Sequence, residues 1–314
     1  MDLVHVHHGW PLGGIAAAAL AGKIPFAMTL HGSEVLEGQD WLPAARRAGA
    51  LAAPSGDLAR RAEQALRAAG QARRVQVLPS PLGPEWFARP LPLGDPTRGV
   101  LRVAHVSNGR AVKRTALAVE ACARADGPLA RRGIRLELDL IGPGHDRSAA
   151  PLAHRLGIGE RTRVLGCLPP GPLWTEGAGR GLDVLLLASR YESFGLVAQE
   201  ALASGIEPLG PAVGGLAEAF GNEGLGTWVE ASEPGLADRL ASGLVALAER
   251  PRRTPEDLKQ TRARLESRYG WQVTGPLWET WLEHALQQSS PCTSPAERTR
   301  ERLPGPQRDL TPAP

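Results

Sequence analysis

Leu182-Asp183-Val184-Leu185-Leu186-Leu187-Ala188, followed closely by Tyr191-Glu192-Ser193-Phe194-Gly195-Leu196-Val197-Ala198-Gln199-Glu200, decides the fold. The first stretch is a short apolar run, the pattern of a strand buried on both faces of a parallel sheet. Leu196 to Ala203 is built of good helix formers and stops at Ser204-Gly205, where glycine suits a helix C-terminus. Glu192 is therefore placed in the turn after a buried strand, and Glu200 about two turns inside the following helix. Open α/β sheets bind ligands outside the carboxyl ends of their strands, beside helix N-termini. The N–H groups of Phe194, Gly195 and Leu196 suit a phosphate there, because orphan donors and the helix dipole both favour an anion. Gly195 lets that backbone come close, and a carboxylate further along can accept hydrogen bonds from sugar hydroxyls. The spacing points to a nucleotide-sugar site; the competing reading of either glutamate alone is a solvated surface charge.

With 314 residues the chain is long enough for two domains, and 42% hydrophobic content fits a globular protein. No apolar run is long and pure enough to span a bilayer, since Ile15 to Ala21 is soon broken by Gly22, Lys23 and Pro25. A basic region followed by an apolar core is missing at the N-terminus, so a cytoplasmic location is expected. Cys122, Cys167 and Cys292 lack metal-ligand spacing, and their odd number argues against a disulfide framework. A net charge of +3 spread along the chain does not argue for nucleic acid as a partner. Among 36 basic residues only Lys23, Lys113 and Lys259 are lysines, so each raises the question of why a compact ammonium stands there.

Strand and helix patterns alternate on both sides of a proline-rich stretch. Leu3–His7, Pro25–Leu30, Leu51–Ser55 and Val75–Pro79 read as strands, with helices over Gly14–Ala21 and Asp57–Ala69. Pro81, Gly83, Pro84, Pro90, Pro92, Gly94 and Pro96 then read as an interdomain linker. A second unit has strands at Leu101–Val106, Leu136–Ile141, Arg163–Gly166 and Leu182–Ala188, and helices from Thr115 to Ala125 and near Ala217. Such alternation implies parallel sheets covered on both faces. Trp271 to Leu286 reads as a closing helix, and the Ser-, Pro-, Thr- and Arg-rich tail from Gln287 is expected to be disordered.

Ser107-Asn108-Gly109-Arg110-Ala111-Val112-Lys113-Arg114 follows the first strand of the second unit, at the same end of the sheet as the Glu192 turn. From this loop Arg110 and Lys113 can reach a diphosphate, one as a fork and one as a point charge; the competing reading is a solvated basic loop. His31, at a strand end beside Gly32, can donate to a sugar hydroxyl or phosphate oxygen, or serve the turn alone. His5, His7 and His8 invite a metal, but only His5 and His7 share a strand face. Trp10 and Trp41 can line a sugar pocket or pack in the core.

The two glutamates resemble the E-x7-E motif of retaining glycosyltransferase family 4, which has the GT-B fold. Ser107 to Arg114 resembles the S-N-x-R-x-V-K-R signature of the bacillithiol-pathway N-acetylglucosaminyl L-malate synthases. Asp2-Leu3-Val4-His5-Val6-His7 resembles their D-x-x-H-V-H strand, and Thr29-Leu30-His31-Gly32-Ser33-Glu34 their T-L-H-G-T-D turn. The likeness runs over about residues 2 to 285, with departures at His8 for tyrosine, Pro79-Ser80-Pro81 for P-N-F, Gly109 for phenylalanine and Ile206-Glu207-Pro208 for G-V-P-V. It implies an α/β protein of two Rossmann-like domains with parallel sheets: a partial acceptor-side domain over 1–92, a nucleotide-sugar domain over 93–270, a closing helix over 271–286 and the tail 287–314.

By the same resemblance N-acetylglucosamine passes from UDP to L-malate with retention. Arg110 and Lys113 stabilise the diphosphate, Glu192 holds the donor sugar beside Phe194, Gly195 and Leu196, Glu200 binds the ribose, and His31 reaches the sugar from across the cleft. No metal or other cofactor is implied. Expected partners are a nucleotide-sugar donor and a small hydroxy-acid or sugar acceptor, with a second copy of the chain as a further candidate. Another donor sugar or acceptor within the family is the nearest alternative. Family members carry a strand, a glycine-rich turn and further βα units, about 30 residues each, ahead of the D-x-x-H-V-H strand that starts here at Asp2. The first domain is accordingly expected to be incomplete, with bare apolar sheet edges and faces, and a non-catalytic nucleotide-sugar-binding remnant is the remaining alternative.

Overall fold

The computed structural model describes residues 2–20, 23–88, 99–169, 181–221, 224–251 and 253–288. The linker residues Pro90, Pro92, Gly94 and Pro96, the tail from 289 and Cys292 lie outside them, as does the side chain of Trp10. Two wholly parallel sheets are present. The first takes its strands in sequence order: β1 (Val4–His7), β2 (Phe26–Thr29), β3 (Ala50–Ala53) and β4 (Gln76–Val77). The second holds β5 (Val100–Val106), β6 (Arg135–Ile141), β7 (Thr162–Gly166), β8 (Val184–Leu186), β9 (Glu207–Pro211) and β10 (Thr227–Val229).

The second sheet has the order β10-β9-β8-β5-β6-β7. Winding thus runs outward from β5 through β6 to β7, then returns to the other side of β5 at β8. That is the doubly wound order, and the reversal between β5 and β8 opens a crevice at their carboxyl ends. β5 and β8 register at Val103↔Val184 and Ala104↔Leu185. Val184, Leu185 and Leu186 are all buried, as expected for a strand covered on both faces. The core on one face gathers Val103, Leu138, Leu140 and Val184 under the helices Thr115–Ala130 and Leu236–Glu249; the other face gathers Leu185, Leu187, Phe194 and Phe220.

The helix Gly56–Ala68 shows why the first unit folds locally. Ser55 accepts the Leu58 N–H as its N-cap, Asp57 favours the positive end of the dipole, and Leu58, Ala62 and Leu66 form one buried stripe. The strands β2 and β3 are buried throughout. The apolar face expected to be bare is covered: Trp278, Trp281, Leu282 and Ala285, from the last helix, Trp271–Gln288, pack on Ala27, Ala50, Ala52 and Leu78. That helix extends past the expected Leu286 and returns the chain from the second unit to the first. At the crossing, Leu82 N–H donates to Tyr269 O at 2.8 Å, so the two connections between units lie side by side.

Candidate functional site

Both loops singled out in the sequence flank the β5–β8 crevice. Ser107 to Arg114 follows β5, ending in a short 3-10 turn, Ala111–Lys113; the loop after β8 carries Glu192. They are stitched together by the Arg190 N–H, which donates to Val112 O at 2.8 Å. Lys113 Nζ donates to Glu192 Oε1 at 2.6 Å, and Ser189 Oγ donates to the same oxygen at 2.6 Å. The pair is largely shielded, with 25% of the Lys113 side chain and 12% of the Glu192 side chain exposed. Two residues chosen from separate motifs therefore meet, as an ion pair at the switch point.

Gly195 caps the helix Leu196–Ala203 in a left-handed conformation, φ +96°. A β-carbon there would also stand 2.2 Å from Leu216 Cδ2, so the glycine serves the fold of the turn as well as access to its backbone. The helix starts just past the carboxyl end of β8, and the first N–H groups of any helix lack acceptors within it. Phe194 packs edge-on to Tyr269 at 5.3 Å and against Phe220 at 5.9 Å, so its ring belongs to the core and its backbone N–H is the part expected to meet a phosphate. One sequence expectation needs correction. Glu200 is the fifth residue of an eight-residue helix, hence about one turn in, half-buried, where two turns were expected.

Arg110 does not join Lys113 and Glu192. Its Nη2 donates to both oxygens of Glu37 at 2.7 and 3.0 Å, across the cleft on the first unit. Both partners are well exposed, at 45% and 60%, so this pair contributes at most about 1 kcal/mol. His31 ends β2 and forms a reciprocal capping box with Glu34, whose carboxylate accepts the His31 N–H at 2.7 Å. The ring Nε2 is buried and meets no partner among the described residues. Burial, then the neighbouring His8, His7 and His5, push the His31 pKa down to about 4, so the imidazole is neutral at pH 7. The next residue, Gly32, donates its N–H to Ser193 Oγ at 2.9 Å, which brings the His31 turn directly onto the Glu192 turn.

Further contacts across the cleft went unread in the sequence. Glu218 takes the Gly56 and Asp57 N–H groups at 2.7 and 2.8 Å, a carboxylate of one unit seated on a helix N-terminus of the other. Tyr191 OH donates to Asp57 Oδ2 at 2.9 Å, with the Arg61 guanidinium 5.2 Å from its ring. In a linear sequence Glu218 and Asp57 look like any exposed acids; only Tyr191, one of two tyrosines and adjacent to Glu192, offered a signal. His5 is engaged by Thr29 Oγ1 at 2.8 Å and flanked by Trp278 and Trp281, and no group of three metal-ligating side chains is found among the described residues. Trp41 is fully buried in the core of the first unit.

Beneath the Ser107 loop lies a buried polar network. His105 Nδ1 meets Leu186 O at 2.9 Å and its Nε2 meets Thr115 Oγ1 at 3.2 Å, while Ser107 Oγ bridges Thr115 Oγ1 and His145 Nε2. Burial drives the His105 pKa down to about 4 against the pull of the Leu186 carbonyl; His145 and Lys113 lower it further. As pH falls through the unfolded value of about 6.5, the unfolded chain takes up a proton that folded His105 refuses until about pH 4. This share of stability is full above pH 6.5 and is lost as pH drops across that window. Thermal melts at pH 7 and pH 4.5 should therefore differ less in His105→Asn than in the parent; an equal or larger difference would refute the neutral His105.

The pattern of the family Glycosyl transferases group 1 matches residues 99–262, just over half of the chain and the whole of the second sheet. The chain is 28% identical over 287 residues to the 2-deoxystreptamine N-acetyl-D-glucosaminyltransferase of Streptomyces fradiae, covering 81% of this chain and 65% of that protein. It is 32% identical over 284 residues to D-inositol 3-phosphate glycosyltransferase 1 of Catenulispora acidiphila, covering 80% of this chain and 65% of that one. The chain thus spans less than two thirds of the length of these relatives. Among solved structures, the Anabaena protein Alr3699/HepE in complex with UDP and glucose superposes with a TM-score of 0.68 at 19% identity, over 89% of this chain and 77% of that one. Sucrose-phosphate synthase from Thermosynechococcus elongatus gives 0.68 at 21% identity, over 92% and 74%. The fold is the α/β GT-B arrangement of two Rossmann-like sheets, and the chain belongs to the group 1 glycosyl transferases.

Proposed function

We propose that the chain transfers N-acetylglucosamine from UDP-N-acetylglucosamine, with retention at the anomeric carbon, to a small hydroxylated acceptor, L-malate being the acceptor that the motif resemblance implies. The observation behind it is the meeting of Lys113 and Glu192 at the β5–β8 switch point, beside the Gly195-capped helix N-terminus. In this reading the Lys113 ammonium and the helix N-terminus balance the charge that builds on the departing diphosphate, an electrostatic role. Glu192 and Glu200 accept hydrogen bonds from donor hydroxyls, and His31 offers its buried Nε2–H from the facing unit. The countercharge comes from side chains and backbone, so the reading calls for no bound cation.

A cyclitol acceptor is the second reading, and one observation favours it. Two relatives that run over four fifths of this chain are named for 2-deoxystreptamine and D-inositol 3-phosphate. UDP release from UDP-N-acetylglucosamine, measured with L-malate, myo-inositol, inositol 3-phosphate and 2-deoxystreptamine in turn, separates the readings. UDP binding without turnover on any acceptor would leave the non-catalytic alternative, and no UDP binding would remove the donor-site assignment itself.

Arg110 enters this scheme only if it leaves Glu37 for the diphosphate. Glu37→Gln should then raise UDP affinity by a few-fold at most, the scale of one exposed ion pair. Calorimetric titration reads this directly, and an affinity lowered by the substitution would take Arg110 out of the donor site.

A further inference from the structure

Arg114 closes the Ser107–Arg114 loop, and nothing in the donor scheme above uses it. It adopts φ +48° and ψ +48°, between the turn Ala111–Lys113 and the helix Thr115–Ala130, one of two described non-glycine residues with positive φ. That conformation is unfavourable for a residue with a β-carbon, so the surroundings must hold it. The hold is visible. Nε donates to Ala188 O at 2.6 Å, Nη2 donates to Ser189 O at 3.0 Å, and Nη1 pairs with Glu233. Only 11% of the Arg114 side chain is exposed, while Glu233 stands at 55%.

These bonds complete a ring. Arg114 grips the backbone of Ser189; Ser189 Oγ donates to Glu192 Oε1; Glu192 accepts from Lys113 Nζ; and Lys113 is the peptide neighbour of Arg114. Each loop at the switch point contributes one charged residue to the crevice and one element of the clamp behind it. Two consecutive carbonyls are met by a planar fork that carries its donors in fixed geometry, which a lysine ammonium cannot reproduce.

We infer that Arg114 is a positioning residue of the donor site: by clamping Ala188 and Ser189 to the Lys113 loop it fixes where Lys113 and Glu192 stand relative to one another, without touching the ligand. This deepens the nucleotide-sugar reading and rests on it.

Titration of UDP into the full chain tests it, with folding checked by circular dichroism and thermal melts. If the parent binds UDP, R114M should bind at least tenfold more weakly and R114K at least fivefold more weakly, whereas E233Q, which touches only the solvent side of the fork, should stay within twofold. The coupling is the readout that a merely structural role would leave unmoved. Lys113→Ala should cost ten- to a hundredfold in the parent but less than threefold more when added to R114M. UDP affinity of R114M or R114K within twofold of the parent overturns the proposal, as does an undiminished Lys113→Ala effect in the R114M background. If R114M does not fold, R114K decides alone. A parent chain that fails to bind UDP removes the donor-site reading first, and is distinguished because it shows before any variant is made.

Discussion

Lys113→Ala is expected to weaken UDP binding by about ten- to a hundredfold, the 1.5–3 kcal/mol typical of one hydrogen bond to a charged group. The same substitution should lower stability measurably, because Lys113 is no free loop cation. It leaves Glu192, whose side chain is only 12% exposed, with Ser189 Oγ as its remaining side-chain donor among the described residues. A carboxylate that has lost its cation in such a place costs about 1–3 kcal/mol. Lys113→Ala combined with Glu192→Gln should recover most of that stability, since the stranded charge is gone, yet recover none of the UDP affinity. Calorimetry and thermal melts on the same samples separate the two effects. UDP affinity unchanged in Lys113→Ala would end the donor-site assignment of Lys113, and equal stability of the single and double variants would show that the ion pair has no structural weight.

What could be read from the sequence follows how local each signal is. β8, the Gly195 turn and the helix after it announce themselves within about 20 residues, as an apolar run, a glycine and a stretch of helix formers. β9, Glu207–Pro211, hid behind two prolines and a glycine. Ala212 N–H bonds Val229 O and Glu207 N–H bonds Asp183 O, so even-numbered residues of β9 donate toward β10 and odd-numbered ones toward β8. Pro208 precedes the first residue paired with β10, and Pro211 follows the last paired with β8, so neither omits a ladder bond. Gly210 is needed because a β-carbon would stand 2.8 Å from Leu187 Cβ. Partners from the other unit were equally hidden. Nothing near Arg110 points to Glu37, and nothing near Gly56 points to Glu218, because those pairs exist only once the two sheets face each other. Arg114 stands in the Ser107–Arg114 signature, yet the sequence assigns it no role of its own: where all but three of 36 cations are arginines, its carbonyl partners Ala188 and Ser189 are visible only in the fold.

Gly142→Ala should be the most damaging single methyl group in the second unit. Gly142 directly follows β6 with φ +120°, and a β-carbon there would lie 1.8 Å from Ser107 O and 2.9 Å from Ser107 C. Those atoms belong to backbone pinned on both sides, by Ser107 N–H to Ile141 O at 2.9 Å and by Gly142 N–H to Gly166 O at 2.7 Å. Relief therefore requires the strand end and the Ser107 loop to part. The unfavourable φ costs about 1–3 kcal/mol and the overpacking a similar amount, for a total near 4 kcal/mol, which is a large share of the 5–15 kcal/mol that holds a domain together. Gly157→Ala isolates the clash, since Gly157 shares a positive φ, +80°, but among the described residues has nothing within 4 Å of the added carbon. Denaturant melts should place Gly142→Ala at least 2 kcal/mol below Gly157→Ala, and values within 1 kcal/mol of each other would contradict the close approach of β6 to the loop. Because the displaced atom is Ser107 O, the loss should not stop at stability. Where Gly142→Ala is still folded, at low temperature, UDP affinity should fall as it does for Lys113→Ala, since the same loop carries Lys113 to Glu192.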